Sequence, residues 1–189
     1  EVVKALFNHP KLDLNQTNGQ KETALHLAVR NHDRDMVNLL MSQKISLNEK
    51  NAQSQTALDI AYQAYDKNDF SIVKYLCLSG AKREELLFNA IENHQAELIE
   101  FLLTDAKALV NPNLSDSKGQ TALMLAVQKN QPKTVSLLLT QPTLNINQMD
   151  TQGQTALHHA AILGSNDLVK LLMKQHASIK DKNKDGKTP

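Results

Sequence analysis

The feature that most constrains this chain is a tripeptide that returns in register. Thr23-Ala24-Leu25, Thr56-Ala57-Leu58, Thr121-Ala122-Leu123 and Thr155-Ala156-Leu157 are followed by Thr188-Pro189. The threonines stand 33, 65, 34 and 33 residues apart. The long gap is two units of about 33 residues, so it hides a degenerate copy. A unit that short cannot close a core of its own, and its copies must stack on one another.

Within each copy the apolar spacing is helical. An alanine follows the leucine by three residues (Ala28, Ala61, Ala126, Ala160), and a later stretch carries Val37, Leu39 and Leu40 or Val135, Leu138 and Leu139. The threonine hydroxyl is placed to accept an N–H of the first turn and cap a short helix. A second helix follows, for example Asn166 to Met173, with its apolar residues three and four apart. Helices of about three turns are marginal alone, which again requires stacking. Between units lie Asn113-Leu114-Ser115-Asp116-Ser117-Lys118-Gly119 and the run from Asn145 to Gly153, rich in Asn, Asp and Gly. These predict projecting hairpin loops.

An apolar fraction of 41% suffices for a continuous core, but aromatics supply only 4% and there is no Trp. The core is therefore built from Leu, Ile, Val and Ala, which suits closely packed helices. Lys and Arg number 21 against 20 Asp and Glu, with no block of like charge, which argues against phosphate-driven nucleic-acid binding. The most basic stretch, Lys170 to Lys187, is interrupted by Asp181 and Asp185 and reads as solvated surface. The single cysteine, Cys77, excludes an internal disulfide and the CxxC patterns, and fits a reducing compartment. It stands where other copies have Leu40, Leu139 or Leu172, so it reads as a small buried apolar residue. No charged-then-apolar leader opens the chain, and no window approaches the ~18 apolar residues of a membrane span.

Nothing here points to catalysis. No glycine-rich phosphate loop, HExxH helix or supported carboxylate pair is present. His26 and His158 lack the recurring nucleophile and orienting acid that a catalytic histidine needs. His158 and His159 are adjacent helical positions that point apart and make a poor metal pair. No catalytic, cofactor-binding or metal-binding residue is expected, and the chain is not read as an enzyme.

The combination of Asp150-x-x-Gly153-x-Thr155-Ala156-Leu157-His158-x-Ala160-Ala161, Gly164 between helices, and a second helix such as Val135-x-x-Leu138-Leu139 resembles the ankyrin repeat family over nearly the whole chain. The resemblance implies an all-α ankyrin-repeat solenoid: stacked helix-turn-helix units with projecting β-hairpin loops, curved with a concave face. Residues 1–16 read as a partial unit with Val2, Val3, Leu6 and Phe7 as its buried face, followed by units at 17–49, 50–82, 83–115, 116–149 and 150–182, and by the start of a truncated one at 183–189. The unit at 83–115 is degenerate, with Glu85 to Ala90 in place of the Thr motif and Leu98 to Leu103 as second helix. Starting inside a second helix and stopping at Thr188-Pro189, the chain is expected to belong to a longer one.

Several departures carry consequences. Tyr65-Asp66-Lys67-Asn68 looks like an insertion between helices, so the hairpin after Gly80-Ala81, near Lys82, must be largely deleted, with a direct connection in its place. Thr104 to Ser115, containing Asn111-Pro112-Asn113, is longer than the family pattern. Lys21 and Ser54 stand where Gly119 and Gly153 provide the turn glycine; Gly19 is expected to relocate the bend beside Lys21, while Ser54 has no glycine nearby.

Function follows from the resemblance. It implies that His26 and His158 brace neighbouring loops by hydrogen bonds, with Asp59 as a loop-bracing variant. Asn48 and Asn147 fall where some ankyrin-like proteins carry an asparagine hydroxylation acceptor; the simpler reading is an asparagine satisfying its own loop backbone. Partner binding is implied at the loop tips and first-helix ends. Carried over residue by residue, these are Gly19, Gln20, Glu22, Arg30 and Asn31; Gln53, Gln55, Gln63 and Ala64; Ser117, Lys118, Gln120, Gln128 and Lys129; and Thr151, Gln152, Gln154, Ile162 and Leu163. Few are the Tyr, Trp or Arg anchors that dominate interfaces, which singles out Arg30, Ile162 and Leu163.

The expected function is a protein–protein interaction module that binds a partner protein through its concave face, without nucleic acid, cofactor or membrane insertion. The alternative is a rigid spacer or substrate-presenting arm for an enzymatic domain outside this chain. A cytoplasmic setting is expected. The Asn, Gln and Lys bias is similar to that of ankyrin proteins that intracellular bacteria deliver as effectors into host cytoplasm.

Overall fold

The computed structural model describes residues 13–43, 45–64, 70–81, 85–105 and 110–189. The expected buried face at Val2, Val3, Leu6 and Phe7, the insertion Tyr65 to Asn68, and Lys82 lie outside them. Ten helices form among the described residues: α1 (Ala24–Arg30), α2 (Arg34–Met41), α3 (Ala57–Gln63), α4 (Ser71–Leu78), α5 (Leu86–Glu92), α6 (Ala96–Thr104), α7 (Ala122–Gln128), α8 (Pro132–Leu139), α9 (Ala156–Leu163) and α10 (Asn166–Lys174). No strand is formed among them; Ser115 and Thr121 make an isolated bridge, so the projecting loops are tight hairpins without regular strands.

The chain divides into two compact units, residues 1–82 and 83–189. In the first, α1 packs on α2, α3 on α4, and α1 on α3. In the second, the pairs α5–α6, α7–α8 and α9–α10 stack, with α5, α7 and α9 in one row and α6, α8 and α10 in the other. Each unit has the stacked helix-turn-helix architecture expected of an all-α ankyrin solenoid. The degenerate stretch contributes a full pair, α5 and α6, because Leu87, Ala90, Ile91, Leu98, Ile99 and Leu102 keep the apolar register and are buried.

One position explains how close the helices come. Ala28, Ala61, Ala90, Ala126 and Ala160 sit five residues after each capping position, and all are buried. A methyl there lets the next helix approach, and the carbonyl behind it ends the helix. Asp33 N–H donates to Ala28, Gln95 to Ala90 and Gln131 to Ala126 at 2.9 Å, and Ser165 to Ala160 at 3.2 Å. Each is the long bond of a Schellman turn, whose left-handed residue is His32, His94, Asn130 or Gly164. The N-terminal caps form as the threonines predict: Thr56, Thr121 and Thr155 hydroxyls accept from the N–H three residues on, at 3.2, 3.3 and 3.4 Å.

The hairpins repeat one device five times. The side-chain oxygen of Asn18, Asn51, Asp116, Asp150 or Asn183 accepts the backbone N–H groups two and four residues later, at 2.8 to 3.0 Å. The third residue on is left-handed in every case: Lys21, Ser54, Gly119, Gly153 and Gly186, with φ from 55 to 75°. Gly19 therefore does not relocate the bend. The conserved-looking turn is kept, and Lys21 and Ser54 are forced into a conformation that costs an L-residue about 1–2 kcal/mol. Ser54→Gly is expected to raise the unfolding free energy by about 0.5–1 kcal/mol, after the greater unfolded-state freedom of glycine is offset. Urea denaturation checks this; an unchanged or lower midpoint would contradict it.

Candidate binding surface

The hairpin tips are tied to one another through backbone. Ala52 N–H donates to Gln20 carbonyl at 2.9 Å, Thr151 to Lys118 and Lys184 to Gln152 at 3.0 Å. Two histidines add a second tie. Thr23 N–H donates to His26 Nδ1 at 3.2 Å, which makes that nitrogen the acceptor and leaves the proton on Nε2, 3.1 Å from Gln55 carbonyl. His158 repeats the arrangement: Nδ1 accepts Thr155 N–H at 3.1 Å and Nε2 donates to Lys187 carbonyl at 3.1 Å. Both histidines thus brace the following loop, as the resemblance implies.

The substitutes at this position do half the work. Asp59 Oδ2 accepts Thr56 N–H at 2.7 Å and its hydroxyl at 2.8 Å, while Met124 Sδ stands 3.5 Å from Thr121 N. Neither side chain carries an N–H, so each closes its own cap and neither donates onward. Asp59 is a cap rather than a brace between loops. Asparagines supply further ties, and among them Asn147, read from sequence as satisfying its own loop, reaches beyond it. Asn147 Oδ1 accepts Ser178 N–H at 2.8 Å in the next unit along, as Asn113 accepts Asn145 N–H at 2.6 Å and Asn15 accepts Ser46 N–H at 2.7 Å.

The residues carried over as partner-binding divide by environment. Gln20, Arg30, Asn31, Gln53, Gln63, Ser117, Lys118, Thr151, Gln152, Ile162 and Leu163 are exposed, and Gln55, Gln120, Gln128, Lys129 and Gln154 are half-buried. Glu22 is buried, at 3% exposure, and lies beneath the Arg30 guanidinium in an ion pair. Its other oxygen accepts Asn18 Nδ2 at 3.1 Å. Lys129 pairs with Glu92, Gln55 donates to Gln63 at 2.9 Å, and Gln128 Nε2 stands 3.2 Å from His159 Nδ1. His159 in turn lies 3.0 Å from Asp150 Oδ2. Ile162 is 70% and Leu163 43% exposed at the end of α9.

A groove of roughly 610 Å³ lies between α5 and the hairpin at 116–120. Phe88, Leu114 and Leu125 are its apolar lining; Glu85, Glu92, Asp116 and Lys118 its charged lining. The connections 42–56, 105–121 and 140–155 hold a loop and hairpin each, but α4 and α5 are separated only by residues 79–85. Carrying over loop tips could not find Glu85, Phe88 or Leu114, because none of them stands at a loop tip or a first-helix end. The short spacer was the available signal. Among the described residues, no three His, Cys, Asp or Glu side chains group to hold a metal, and Cys77 is fully buried. No described helix is long and apolar enough to cross a membrane.

Residues 1–85, 62–150 and 87–183 each match the family model for ankyrin repeats in three copies. The chain belongs to the ankyrin repeat family. Ankyrin repeats are generally protein–protein interaction modules, typically non-catalytic. Among solved structures, the ankyrin repeat domain of Bcl-3, a member of the IkappaB protein family, is similar at a TM-score of 0.77 and 27% identity, covering 100% of this chain and 85% of that one. An ankyrin repeat domain from Acinetobacter baumannii is similar at 0.70 and 29% identity, with 87% of each chain covered. Protein glp-1 of Caenorhabditis elegans is 29% identical over 113 residues, 54% of this ankyrin chain and 9% of glp-1. The Notch-regulated ankyrin repeat-containing protein of Xenopus tropicalis is 41% identical over 70 residues, 35% of this chain and 61% of that protein. The matches therefore span a small part of glp-1 and about three fifths of the shorter relative.

Proposed function

We propose that this ankyrin chain binds a partner protein through the concave side of its array, where hairpin tips and first-helix ends project. The observation that supports this is rigid backbone beneath free side chains. The backbone ties at Gln20, Lys118 and Gln152 and the histidine braces hold the tips, while Gln53, Ser117, Thr151 and Gln152 remain exposed. A pre-ordered surface loses less entropy on association than a mobile one. Arg30 is pre-ordered in the same sense, because buried Glu22 fixes its guanidinium while 44% of the side chain stays exposed. Exposed Ile162 and Leu163 offer apolar contact area.

The test is affinity capture followed by substitution. Capture from a native lysate identifies a partner, and the variant carrying Arg30→Ala, Ile162→Ala and Leu163→Ala is expected to bind the purified partner about tenfold or more weakly. Equal binding by a variant that keeps its helical circular dichroism would refute this assignment of residues.

A further inference from the structure

Each hairpin tip in a stacked array normally bonds back to the hairpin before it. Ala52, Thr151 and Lys184 all do so, and each follows the turn-forming Asn or Asp by one residue. Ser117 holds that same place after Asp116, yet its N–H has no partner among the described residues. The connection before α5, residues 79–85, is shorter than those at 42–56, 105–121 and 140–155. The Ser117 N–H sits at the edge of the groove against α5, as an unpaired edge strand would.

Two of the charges around it are unmatched as well. Glu85 caps the start of α5, where its backbone carbonyl accepts Asn89 N–H at 3.0 Å; its carboxylate is exposed and makes no ion pair or hydrogen bond among the described residues. Asp116 commits Oδ1 to the turn. Its second oxygen lacks the partner that Asp150 finds in His159, because Leu125 occupies the corresponding place and cannot donate. Of the three lining carboxylates Glu92 is paired with Lys129, which leaves Glu85 and Asp116 with Lys118 as the one ammonium of the lining. Phe88 and Leu125 provide an apolar floor, and hydrogen bonds formed over such a surface gain strength from the lower local dielectric.

We infer that this groove takes a short extended segment of a partner protein that supplies what the preceding hairpin supplies to Ala52, Thr151 and Lys184. A backbone carbonyl of the segment accepts the Ser117 N–H, and an Arg or Lys side chain lies against Glu85 and Asp116. Strand addition of this kind draws affinity from main-chain bonds and specificity from the flanking side chains. The inference rests on the protein-interaction reading above and sharpens it, by naming a site and the chemistry of its occupant.

A random linear peptide library panned against the intact chain tests it, with two variants as counter-targets. Ser117→Pro deletes the N–H at a turn position that suits proline. The double variant Glu85→Gln with Asp116→Asn removes charge while keeping the turn, since Asn already forms it at Asn18, Asn51 and Asn183. Enriched peptides are expected to carry Arg or Lys beside an apolar residue, to shift the Ser117 amide resonance, and to bind the double variant about tenfold or more weakly. Should Ser117→Pro fail to fold, the double variant and the amide shift decide the matter. Acidic or neutral winners, equal binding to the folded variants, or no enrichment at all would overturn the groove. If capture through Arg30, Ile162 and Leu163 still succeeds, the interaction reading survives that failure. Self-association abolished by the double variant would assign the groove to a second copy of the chain, and would overturn the inference too.

Discussion

Replacing His158 by Ala is expected to lower the unfolding free energy by roughly 2–4 kcal/mol, read as a drop in the urea midpoint. The side chain is 3% exposed and serves three groups at once: Thr155 N–H, the Thr155 hydroxyl 2.9 Å away, and Lys187 carbonyl. Alanine leaves these without their partner and opens space beside α9. The chain itself supplies the graded control. Met124 and Asp59 at the equivalent place retain a cap acceptor and lack the onward donor. His158→Asp is therefore expected to recover the cap and lose the bond to Lys187, with a cost between those of wild type and His158→Ala. Equal losses for Ala and Asp would show that the cap contributes nothing at this site.

Local features of the fold are legible in the sequence, and those that join units are not. Thr155, Ala160 and Gly164 announce a cap, a close approach and a helix end within ten residues, because each acts on backbone that sequence order already brings near. The asparagine ties act across about one repeat length, and nothing at Asn147 alone reveals Ser178 as its partner. Glu22 marks the same limit from another side. Its position in the hairpin reads as a variable tip, and only the folded chain shows Arg30 turning back to cover it. Lys21 and Ser54 look like failures of the turn, yet the Asn18 and Asn51 bonds with their stacked neighbours impose it on them. Tertiary context outweighs a local preference of about 1–2 kcal/mol. The groove beside α5 is the extreme case, since Glu85 and Phe88 meet Asp116 and Lys118 across about one repeat length.

Stacking also sets which turn glycine can be replaced. Gly119, Gly153 and Gly164 share a left-handed φ near 73°, so alanine at any of them carries the same local penalty of about 1–2 kcal/mol. Their surroundings differ. A Cβ on Gly164 meets nothing within 4 Å, whereas one on Gly153 meets Lys184 N at 3.1 Å and Asn183 Cα at 3.2 Å, both backbone of the next hairpin. Overpacking against backbone adds to the local term, because Lys184 N–H is bonded to Gln152 and moving away lengthens that bond. Gly153→Ala is expected to lose roughly 2–4 kcal/mol and Gly164→Ala only about 1–2 kcal/mol. Lys21 bounds the effect: a side chain is tolerated there beneath the hairpin at 51–55, so hairpins can separate slightly rather than unfold. Amide exchange distinguishes the two contributions. In Gly153→Ala, the Lys184 amide is expected to exchange faster, while in Gly164→Ala it keeps its wild-type protection. Indistinguishable stabilities and exchange rates for the two variants would mean that left-handed strain alone, and not hairpin stacking, keeps glycine at this position.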